Sequence, residues 1–338
     1  MLKIEHNISL KKYNTFGLDA KAKHFISVSE ISELKEVLKL KEYPEKFILG
    51  GGSNMLITQN IDALVIHINI KGVKIISRQQ NEVLVKANAG ENWHEFVLWV
   101  LEHNFGGIEN LSLIPGNVGT APIQNIGAYG VELKDVFVEC EAIDIKTQTN
   151  KVFSLKDCMF GYRDSIFKNK AKDKYIITSV TFKLTNNAHH LNIEYGAIQE
   201  NLNTLGIKNP TIKEVSNAVI AIRKSKLPDP NEIGNSGSFF KNPIISKSDF
   251  KKLIGKFPNA PHYIISDHEI KIPAGWLIEQ CGFKGKRYGD AGIHKNQALV
   301  LVNYGNATGA EIWDLALKIQ SNVKDKFNIL IQPEVNVI

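Results

Sequence analysis

Residues 50–54 read GGGSN, three glycines followed by a serine and an asparagine. Glycine reaches positive φ values and carries no Cβ, so successive main-chain N–H groups in such a run can converge on an anion. The run directly follows KFIL at 46–49, an apolar segment that predicts a strand. It matches neither the GxxxxGK[ST] P-loop nor the GxGxxG dinucleotide motif. A pyrophosphate cradle and an ordinary turn are therefore the two interpretations left open.

A second glycine-rich segment, LSLIPGNVGTAPIQNIGAYG at 111–130, is a stretch in which the sequence pattern predicts no helix or strand. Loops of this length are uncommon in compact domains and are often functional. The side chains of Thr120, Gln124 and the asparagines can hydrogen-bond a heterocycle or a diphosphate. A buried connector between two elements is the alternative.

Three further side chains have types suited to acting on a substrate. Arg163, in FGYRDSIFK, is followed by Asp164, which could orient its guanidinium, although a surface ion pair explains the same pattern. Glu334, in QPEV, is either a fixed acid or orienting group or a solvated tail residue. Ser238 lies in GNSGSFFKNP, a stretch without a histidine. GNSGS departs from the GxSxG nucleophile elbow and follows a loop, which argues against a serine hydrolase.

Composition and motif spacing exclude several other classes. The net charge of +6 comes from scattered lysines, which is not the footprint of a nucleic-acid-binding protein. No apolar run approaches the ~20 residues of a membrane span, and the amino terminus lacks a signal-peptide core. Three separated cysteines without a CxxC pair indicate a reducing compartment, and no HExxH motif is present. The sequence predicts a cytoplasmic protein without a metal or a membrane partner.

The elements that must position these residues mix helices and strands. A helix is predicted at 29–40, where Ile31, Leu34 and Leu38 share one face, and another at 91–103. Capping boxes at 211–214 and 308–311 predict two more helix starts. Further strands are predicted at 63–68, 82–87, 136–145, 175–184 and, broken by Pro333, 327–338. Strands that arrive in groups favour an α+β class over a doubly wound sheet.

Taken together, the segments closely resemble the UDP-N-acetylenolpyruvoylglucosamine reductase family. No segment would suffice alone, but they run in order across nearly the whole chain. The EYGAI stretch around Tyr195 is similar to the subtype that carries an extra tyrosine loop over the substrate. The matching segments are GGGSN, IPGNVGTAPIQNIGAYGVEL, FGYRDSIFK, KLPDP, GSFFKNP, PAGWLIEQCGFKG, HKNQALVLVN and QPEV.

The resemblance implies a vanillyl-alcohol-oxidase-type (PCMH-like) FAD-binding domain of two α+β subdomains and a separate α+β substrate domain. We expect the FAD domain at 1–205, with subdomains at about 1–60 and 61–205, and a connecting helix and linker at 206–228. The substrate domain is then expected at 229–330, and a tail at 331–338 would return to the active site. The length of 338 residues agrees with two or three domains.

The resemblance also implies the chemistry, which is reduction of UDP-N-acetylglucosamine enolpyruvate to UDP-N-acetylmuramate by a monomer that uses FAD, with NADPH as electron donor. Hydride would leave flavin N5 for the terminal enolpyruvyl carbon. Arg163 and Glu334 would polarise the carboxylate, and Ser238 would protonate the α-carbon, a role that needs no activating histidine. The flavin contacts that carry over are Gly50, Gly51, Gly52, Ser53, Asn54, Pro115, Gly116, Gly119, Thr120, Gln124, Gly127 and Ala128. The substrate contacts are Tyr195, Arg223, Lys226, Asn242, Tyr263, Lys284 and Gln297.

Two rival functions remain at this stage. A flavin oxidase of the same fold would reduce oxygen, but it has no use for the set Arg163, Ser238 and Glu334. A non-catalytic nucleotide-sugar-binding protein would carry no flavin and would be colourless.

Overall fold

The computed structural model describes residues 2–338, which form two compact units. The first unit contains the residues up to Ile8 together with Ala22–Gly51 and Asp62–Arg223. The second contains Ser9–Lys21, Gly52–Ile61 and Lys224–Ile338. Both units are therefore built from separated stretches, whereas the sequence prediction divides the chain into continuous domains. Two short segments near the amino terminus, Ser9–Lys21 and Gly52–Ile61, belong to the second unit although the chain on either side of each belongs to the first. Neither segment differs from its surroundings in composition or periodicity, so the sequence does not reveal this assignment.

Among the described residues, the first unit contains two larger sheets and one short two-stranded pair. One is four-stranded, and its strand Lys46–Leu49 runs parallel to Ile61–Ile68 and leads into the GGGSN segment. Helix Ile31–Lys39 buries Leu34, Val37 and Leu38 in the same core. The strand order across this sheet is Glu5–Ser9, Lys21–Val28, Ile61–Ile68 and Lys46–Leu49.

The other sheet of this unit has five antiparallel strands and packs against helix Trp93–Glu102. Trp93, Phe96 and Phe182 bring their rings together in its core, with 4.9 Å between the ring centroids of Phe96 and Phe182. The strand order is Asn150–Ser154, Phe137–Asp144, Tyr175–Thr185, Glu82–Asn88 and Val73–Arg78, and the short pair is Gly127–Ala128 with Val131–Glu132. The remaining helices are Leu155–Cys158, Gly196–Thr204 and Ile212–Lys226, which continues into the second unit.

The second unit has its own core around helix Gly309–Phe327, whose Ile312, Leu315 and Ile319 are buried. A four-stranded sheet has the order Gly234–Ser238, Val300–Asn303, Ala291–Ile293 and Arg287–Tyr288. A three-stranded sheet has the order Ile244–Ser246, Glu269–Lys271 and Tyr263–Ile264, and Met55–Leu56 pairs in parallel with Asn336–Val337. The other helices are Lys247–Lys256 and Ala274–Gln280.

Most of the predicted elements are present. The strand at 46–49 has the expected bounds, and both capping boxes form through Thr211 with Glu214 and Thr308 with Glu311. Mixed sheets and helices in both units confirm the predicted α+β class. No helix within residues 2–338 combines the length and the apolar character that a membrane crossing requires.

Two predictions about irregular segments are wrong. The 111–130 segment contains a 3-10 helix at Val118–Gln124, which starts with an Asn117–Thr120 capping box and ends at Asn125, where φ is 45°. The predicted strand at 327–338 is reduced to Asn336–Val337 and an isolated bridge at Pro333. Proline lacks the N–H that a continuous strand pairing requires. The other 3-10 helices are Lys11–Tyr13, Glu109–Leu111, Leu133–Asp135 and Ile166–Lys168.

Candidate active site

The predicted flavin residues of the first unit form two loops in direct backbone contact. A Cβ placed on Gly50 would lie 2.5 Å from Thr120 Cγ2. A Cβ on Gly51 would lie 2.7 Å from Asn117 Oδ1 and 2.8 Å from Gly116 Cα. Since atoms at these distances must shift, only glycine fits here without moving the 116–120 loop. The two loops are therefore packed closely together, and glycine N–H groups at such a place can bind an anionic diphosphate such as that of FAD.

The 116–120 loop is fixed from beneath by the main chain. The Trp93 N–H donates to the Gly116 carbonyl at 2.9 Å, and the Gly119 N–H donates to the Ala89 carbonyl at 3.0 Å. Thr120 Oγ1 donates to the Asn117 carbonyl at 2.8 Å. These hydrogen bonds hold the 116–120 loop against the first turn of helix Trp93–Glu102. Of the other predicted flavin contacts in this unit, Pro115 is exposed and Gln124, Gly127 and Ala128 are half-buried.

The remainder of the glycine segment, Gly52–Asn54, lies in the second unit beside the carboxyl-terminal segment. The Thr15 N–H donates to the Gly52 carbonyl at 3.2 Å. Asn54 Nδ2 donates to the Glu334 carbonyl at 3.3 Å, and the Asn336 N–H donates to the Asn54 carbonyl at 3.1 Å. A predicted flavin segment and a predicted catalytic residue are therefore neighbours, although 280 positions separate Asn54 from Glu334.

Arg163 is oriented by a main-chain carbonyl of the first unit. Its backbone has a φ of 54°, a left-handed conformation that is uncommon for residues with a side chain. Its Nη2 donates to the Gly127 carbonyl at 2.7 Å, and its guanidinium lies 5.9 Å from the Tyr162 ring centroid. The Asp164 carboxylate, expected to orient Arg163, instead accepts the Asn169 side-chain amide at 3.0 and 3.1 Å. Gly127, a predicted flavin contact, thus also determines where the guanidinium lies.

Arg223 lies in the same unit and close enough to Arg163 for their charges to interact. Its Nε donates to the Leu113 carbonyl at 3.2 Å. Burial lowers the pKa of Arg223, the interaction with Tyr129 acts in the opposite direction, and the Arg163 charge lowers the pKa further. Burial also raises the pKa of Tyr129, so this phenol stays protonated at neutral pH. Two cations near each other favour an anionic group between them.

Tyr129 is a candidate that the sequence interpretation missed. Its hydroxyl interacts electrostatically with Arg223, and its ring packs edge-on against that of Tyr195, with 5.2 Å between the centroids. Arginine only donates, so toward Arg223 the Tyr129 oxygen can act only as an acceptor. Tyr195 itself is 47% exposed, as expected of a side chain on a surface loop that could contact a ligand. In the sequence, the only indication of a role for Tyr129 is its place in the glycine-rich 111–130 segment. A position in a loop does not show which residues the side chain will contact.

In the second unit, a β-bulge displays Ser238. Asn235 pairs with Val302, but the next paired residue is Ser238, opposite Val300, so one extra residue of the strand is accommodated. Ser238 is exposed, whereas the side chains of Phe239 and Phe240 are only 0% and 1% exposed. Both phenylalanines therefore belong to the core, as predicted. The Glu334 N–H donates to the Phe239 carbonyl at 2.8 Å. The main chains of Ser238 and Glu334 are therefore adjacent, and the Glu334 side chain is half-buried.

The remaining predicted substrate residues also belong to the second unit. Asn242 Oδ1 accepts the Ala274 N–H at 2.9 Å, and Gln297 Oε1 accepts the Leu299 N–H at 3.3 Å, so both amides are oriented by the fold. Lys284 forms a 2.9 Å ion pair with Glu279, Tyr263 is 56% exposed, and Lys226 is exposed at the end of its helix. Within residues 2–338, no group of three or more histidine, cysteine or acidic side chains is arranged to hold a metal ion.

Comparison with known proteins gives the family. Residues 22–150 match the family model described as FAD binding domain, and residues 229–338 match UDP-N-acetylenolpyruvoylglucosamine reductase, C-terminal domain. The chain is 61% identical over 337 residues to a protein of that name from Flavobacterium johnsoniae, with both chains fully covered. It is 44% identical over 335 residues to one from Pseudomonas putida, with 98% of each chain covered.

The fold agrees with this result. The crystal structure of UDP-N-acetylenolpyruvylglucosamine reductase from Thermus caldophilus superposes with a TM-score of 0.68 at 23% identity, covering 100% of this chain and 99% of that one. The predicted α+β fold with a vanillyl-alcohol-oxidase-type FAD domain is confirmed, as are the oxidoreductase class and FAD with NADPH as reductant. The chain belongs to the UDP-N-acetylenolpyruvoylglucosamine reductase family, flavoenzymes of peptidoglycan precursor synthesis.

Proposed function

We propose that this chain reduces the enolpyruvyl group of UDP-N-acetylglucosamine enolpyruvate through Arg163, Ser238 and Glu334. NADPH would reduce the bound FAD, and the reduced flavin would supply the hydride to the substrate. The observation that carries the proposal is the bulge at Ser238, which leaves this hydroxyl exposed on a main chain hydrogen-bonded to that of Glu334. A proton donor and a carboxyl group on neighbouring segments are what reduction of a polarised double bond requires.

The FAD site proposed here uses the two closely packed loops described above. Gly50 and Gly51 with Gly116, Gly119 and Thr120 would hold the diphosphate, because glycine main chains let N–H groups approach an anion without an intervening Cβ. Ser53 and Asn54, which follow these glycines in the chain, would add hydroxyl and amide groups. The other proposed contacts are Gly52, Pro115, Gln124, Gly127 and Ala128.

Arg163 and Glu334 would act on the substrate carboxylate. Hydride addition to the terminal carbon places negative charge on the α-carbon, and that charge delocalises into the carboxylate as an enolate. The Arg163 guanidinium stabilises the enolate oxygens, and Glu334 acts as a hydrogen-bonding partner of the same group in its protonated form. Donors held in advance at developing charge contribute several kcal/mol. The Gly127 hydrogen bond holds the guanidinium in place before the substrate arrives.

Ser238 would then deliver a proton to the α-carbon. A hydroxyl is a weak acid, but an enolate carbon is basic enough to take its proton when the two are held at hydrogen-bonding distance. No residue needs to activate the serine as a nucleophile, which explains a catalytic serine in a stretch without histidine. Gly237, with a φ of 71° and open space at its Cβ position, leaves room for the substrate beside Ser238.

The remaining polar side chains would bind the nucleotide diphosphate and the sugar. Arg223 and Lys226 lie one turn apart on helix Ile212–Lys226 and supply positive charge, and Tyr195 supplies a hydroxyl from its exposed loop. The other proposed substrate contacts are Asn242, Tyr263, Lys284 and Gln297. We also propose that the enzyme is a cytoplasmic monomer, which agrees with three cysteines that form no disulfide.

The test separates the two half-reactions in Ser238→Ala. Reduction of the bound flavin by NADPH, followed as bleaching of the visible spectrum, should stay near the wild-type rate because it needs no carbon protonation. Turnover with the enolpyruvyl nucleotide should fall by ~10² to 10⁴, the usual contribution of a positioned proton donor. Ser236→Ala is the matched control, since it removes a buried hydroxyl of the same strand that has no hydrogen-bond partner among the described residues.

Two outcomes would contradict the proposal. A Ser238→Ala enzyme that bleaches slowly but passes hydride to substrate at the normal rate would remove the proton-donor role. A wild-type protein whose reduced flavin is reoxidised by oxygen and ignores the enolpyruvyl nucleotide would be an oxidase instead.

A further inference from the structure

Asn110 is a buried asparagine whose side chain joins two segments far apart in sequence. It is 1% exposed and lies in the short 3-10 helix Glu109–Leu111. Its Nδ2 donates to the Tyr129 carbonyl at 3.0 Å and to the Asn192 carbonyl at 2.7 Å. Because carbonyl oxygens only accept, the amide nitrogen must face them, and both of its protons are used.

Both partners of Asn110 lead to the proposed substrate site of the first unit. The Tyr129 hydroxyl interacts electrostatically with Arg223, and the Tyr129 ring contacts that of Tyr195. Asn192 precedes Tyr195 by three residues, and its Nδ2 donates to the Gly130 carbonyl at 3.3 Å. The chain around Tyr195 is thus tied to the chain around Tyr129, and the buried Asn110 amide joins the two ties.

The neighbours of Asn110 make this connection rigid on one side. Ser112 Oγ donates to the Glu109 carbonyl at 2.7 Å and lies 2.7 Å from Ser216 Oγ, which attaches the segment to helix Ile212–Lys226. Arg223 on that helix donates to the Leu113 carbonyl. Residues 109–113 are therefore the common support for Arg223, Tyr129 and the loop that ends at Tyr195.

We propose that Asn110 is a positioning residue: its amide sets the resting position of the Tyr195 loop relative to Tyr129 and Arg223, and so controls how tightly the nucleotide substrate binds. This proposal rests on the proposed function for its kinetic part only. Asparagine suits the position because its amide nitrogen donates to both carbonyl oxygens. Aspartate has the same shape, but its carboxylate oxygen can only accept hydrogen bonds and so cannot pair with these carbonyls. An aliphatic residue would leave two partly buried carbonyls without the Asn110 donor.

The experiment is a double-mutant cycle of Asn110→Ala and Tyr195→Ala. The KM for the enolpyruvyl nucleotide should rise on the order of 10-fold in Asn110→Ala, equivalent to one lost hydrogen bond, while kcat changes less. In the Tyr195→Ala background the same change should have little further effect, because the loop no longer contributes its side chain. Additive effects on KM, or an unchanged KM in the single variant, would overturn the proposal.

A matched control distinguishes positioning from a general loss of stability. Asn303 is also buried, and its amide donates to the Phe16 carbonyl while its oxygen accepts the N–H groups of Gly305 and Ala307. Asn303→Ala should lower the melting temperature without any coupling to Tyr195. Equal coupling in the two cycles would show that Asn110 acts only through stability.

A second measurement does not depend on activity. Amide hydrogen exchange at residues 191–196 should accelerate in Asn110→Ala and in the isosteric Asn110→Asp, while the core strand Tyr175–Thr185 keeps its protection. Asn110→Asp keeps the shape of the side chain but places an acceptor against two carbonyl oxygens, so it tests the loss of the two donors without a change in volume. If the wild type fails to reduce the enolpyruvyl nucleotide, the function is wrong but the loop result stands. Unchanged exchange at 191–196 in the aspartate variant would refute the positioning role itself.

Discussion

Gly51→Ala tests whether the two closely packed loops hold FAD. The added Cβ would lie 2.7 Å from Asn117 Oδ1 and 2.8 Å from Gly116 Cα. The Asn117 side chain can rotate away, but Gly116 can give way only by moving its main chain. That main chain is fixed, because its carbonyl accepts the N–H of Trp93, which is 1% exposed. The substitution therefore pushes the two loops apart instead of being absorbed by one side chain.

The size of the effect follows from these distances. Carbon atoms in ordinary contact are about 3.5–4.0 Å apart, so Gly116 Cα must retreat by roughly 0.7 Å or more. Overpacking of this kind costs about 1–3 kcal/mol. If that cost falls on the flavin-bound form, where the loops must stay close, FAD binds about 5- to 150-fold more weakly, at 1.4 kcal/mol for each factor of ten.

The assay is the ratio of flavin to protein absorbance after long dialysis, followed by titration of the stripped protein with FAD. Gly255→Ala is the control, because nothing lies within 4 Å of its added Cβ and the residue sits in helix Lys247–Lys256. Alanine there should raise helix stability by about 0.5–1 kcal/mol and leave flavin content unchanged. A Gly51→Ala protein that keeps its flavin through dialysis at the wild-type ratio would refute the cradle.

Two further predictions concern stability. Burial raises the pKa of Glu109, which is 2% exposed, so its contribution to stability is full below pH 4.5 and is lost as pH rises through the higher folded-state pKa. The unfolding free energy should therefore fall with pH in that window, and Glu109→Gln should flatten the fall; identical slopes in urea titrations would contradict this. Thr308→Ala removes the cap of helix Gly309–Phe327, where Thr308 Oγ1 accepts the Glu311 N–H at 3.2 Å. It should cost about 1 kcal/mol in urea unfolding, and an unchanged midpoint would show that Glu311 alone suffices.

Local signals in the sequence predict the regular elements well. The helix at Ile31–Lys39 and the strand at Glu82–Asn88 follow from periodicity because each buries one face in the core. The capping box at Thr308 fixes a helix start to the residue. The 3-10 helix at Val118–Gln124 escapes prediction, because glycine and proline within it resemble a plain loop and its start depends on one side-chain cap.

The site depends on contacts that no local pattern contains. The Gly127 carbonyl that orients Arg163, and the pairing of Tyr129 with Arg223, each join residues more than thirty positions apart. The motifs identified Arg163 and Arg223 as candidates, but not the groups that aim them. The partition of the GGGSN run between the two compact units also leaves no trace in composition.

The geometry around Ser238 bears on the proposal that a weakly acidic hydroxyl delivers the proton. An uninterrupted strand alternates its side chains between two faces, yet Phe239 and Phe240 are both buried next to an exposed Ser238. The bulge after Asn235 and the left-handed Gly237 permit this arrangement by changing the direction of the chain. The two phenylalanines then anchor the strand end in the core, so the main chain that carries the Ser238 hydroxyl is held by packing. A donor fixed in this way gives up little orientational freedom in the transition state, which is where its contribution to the rate arises.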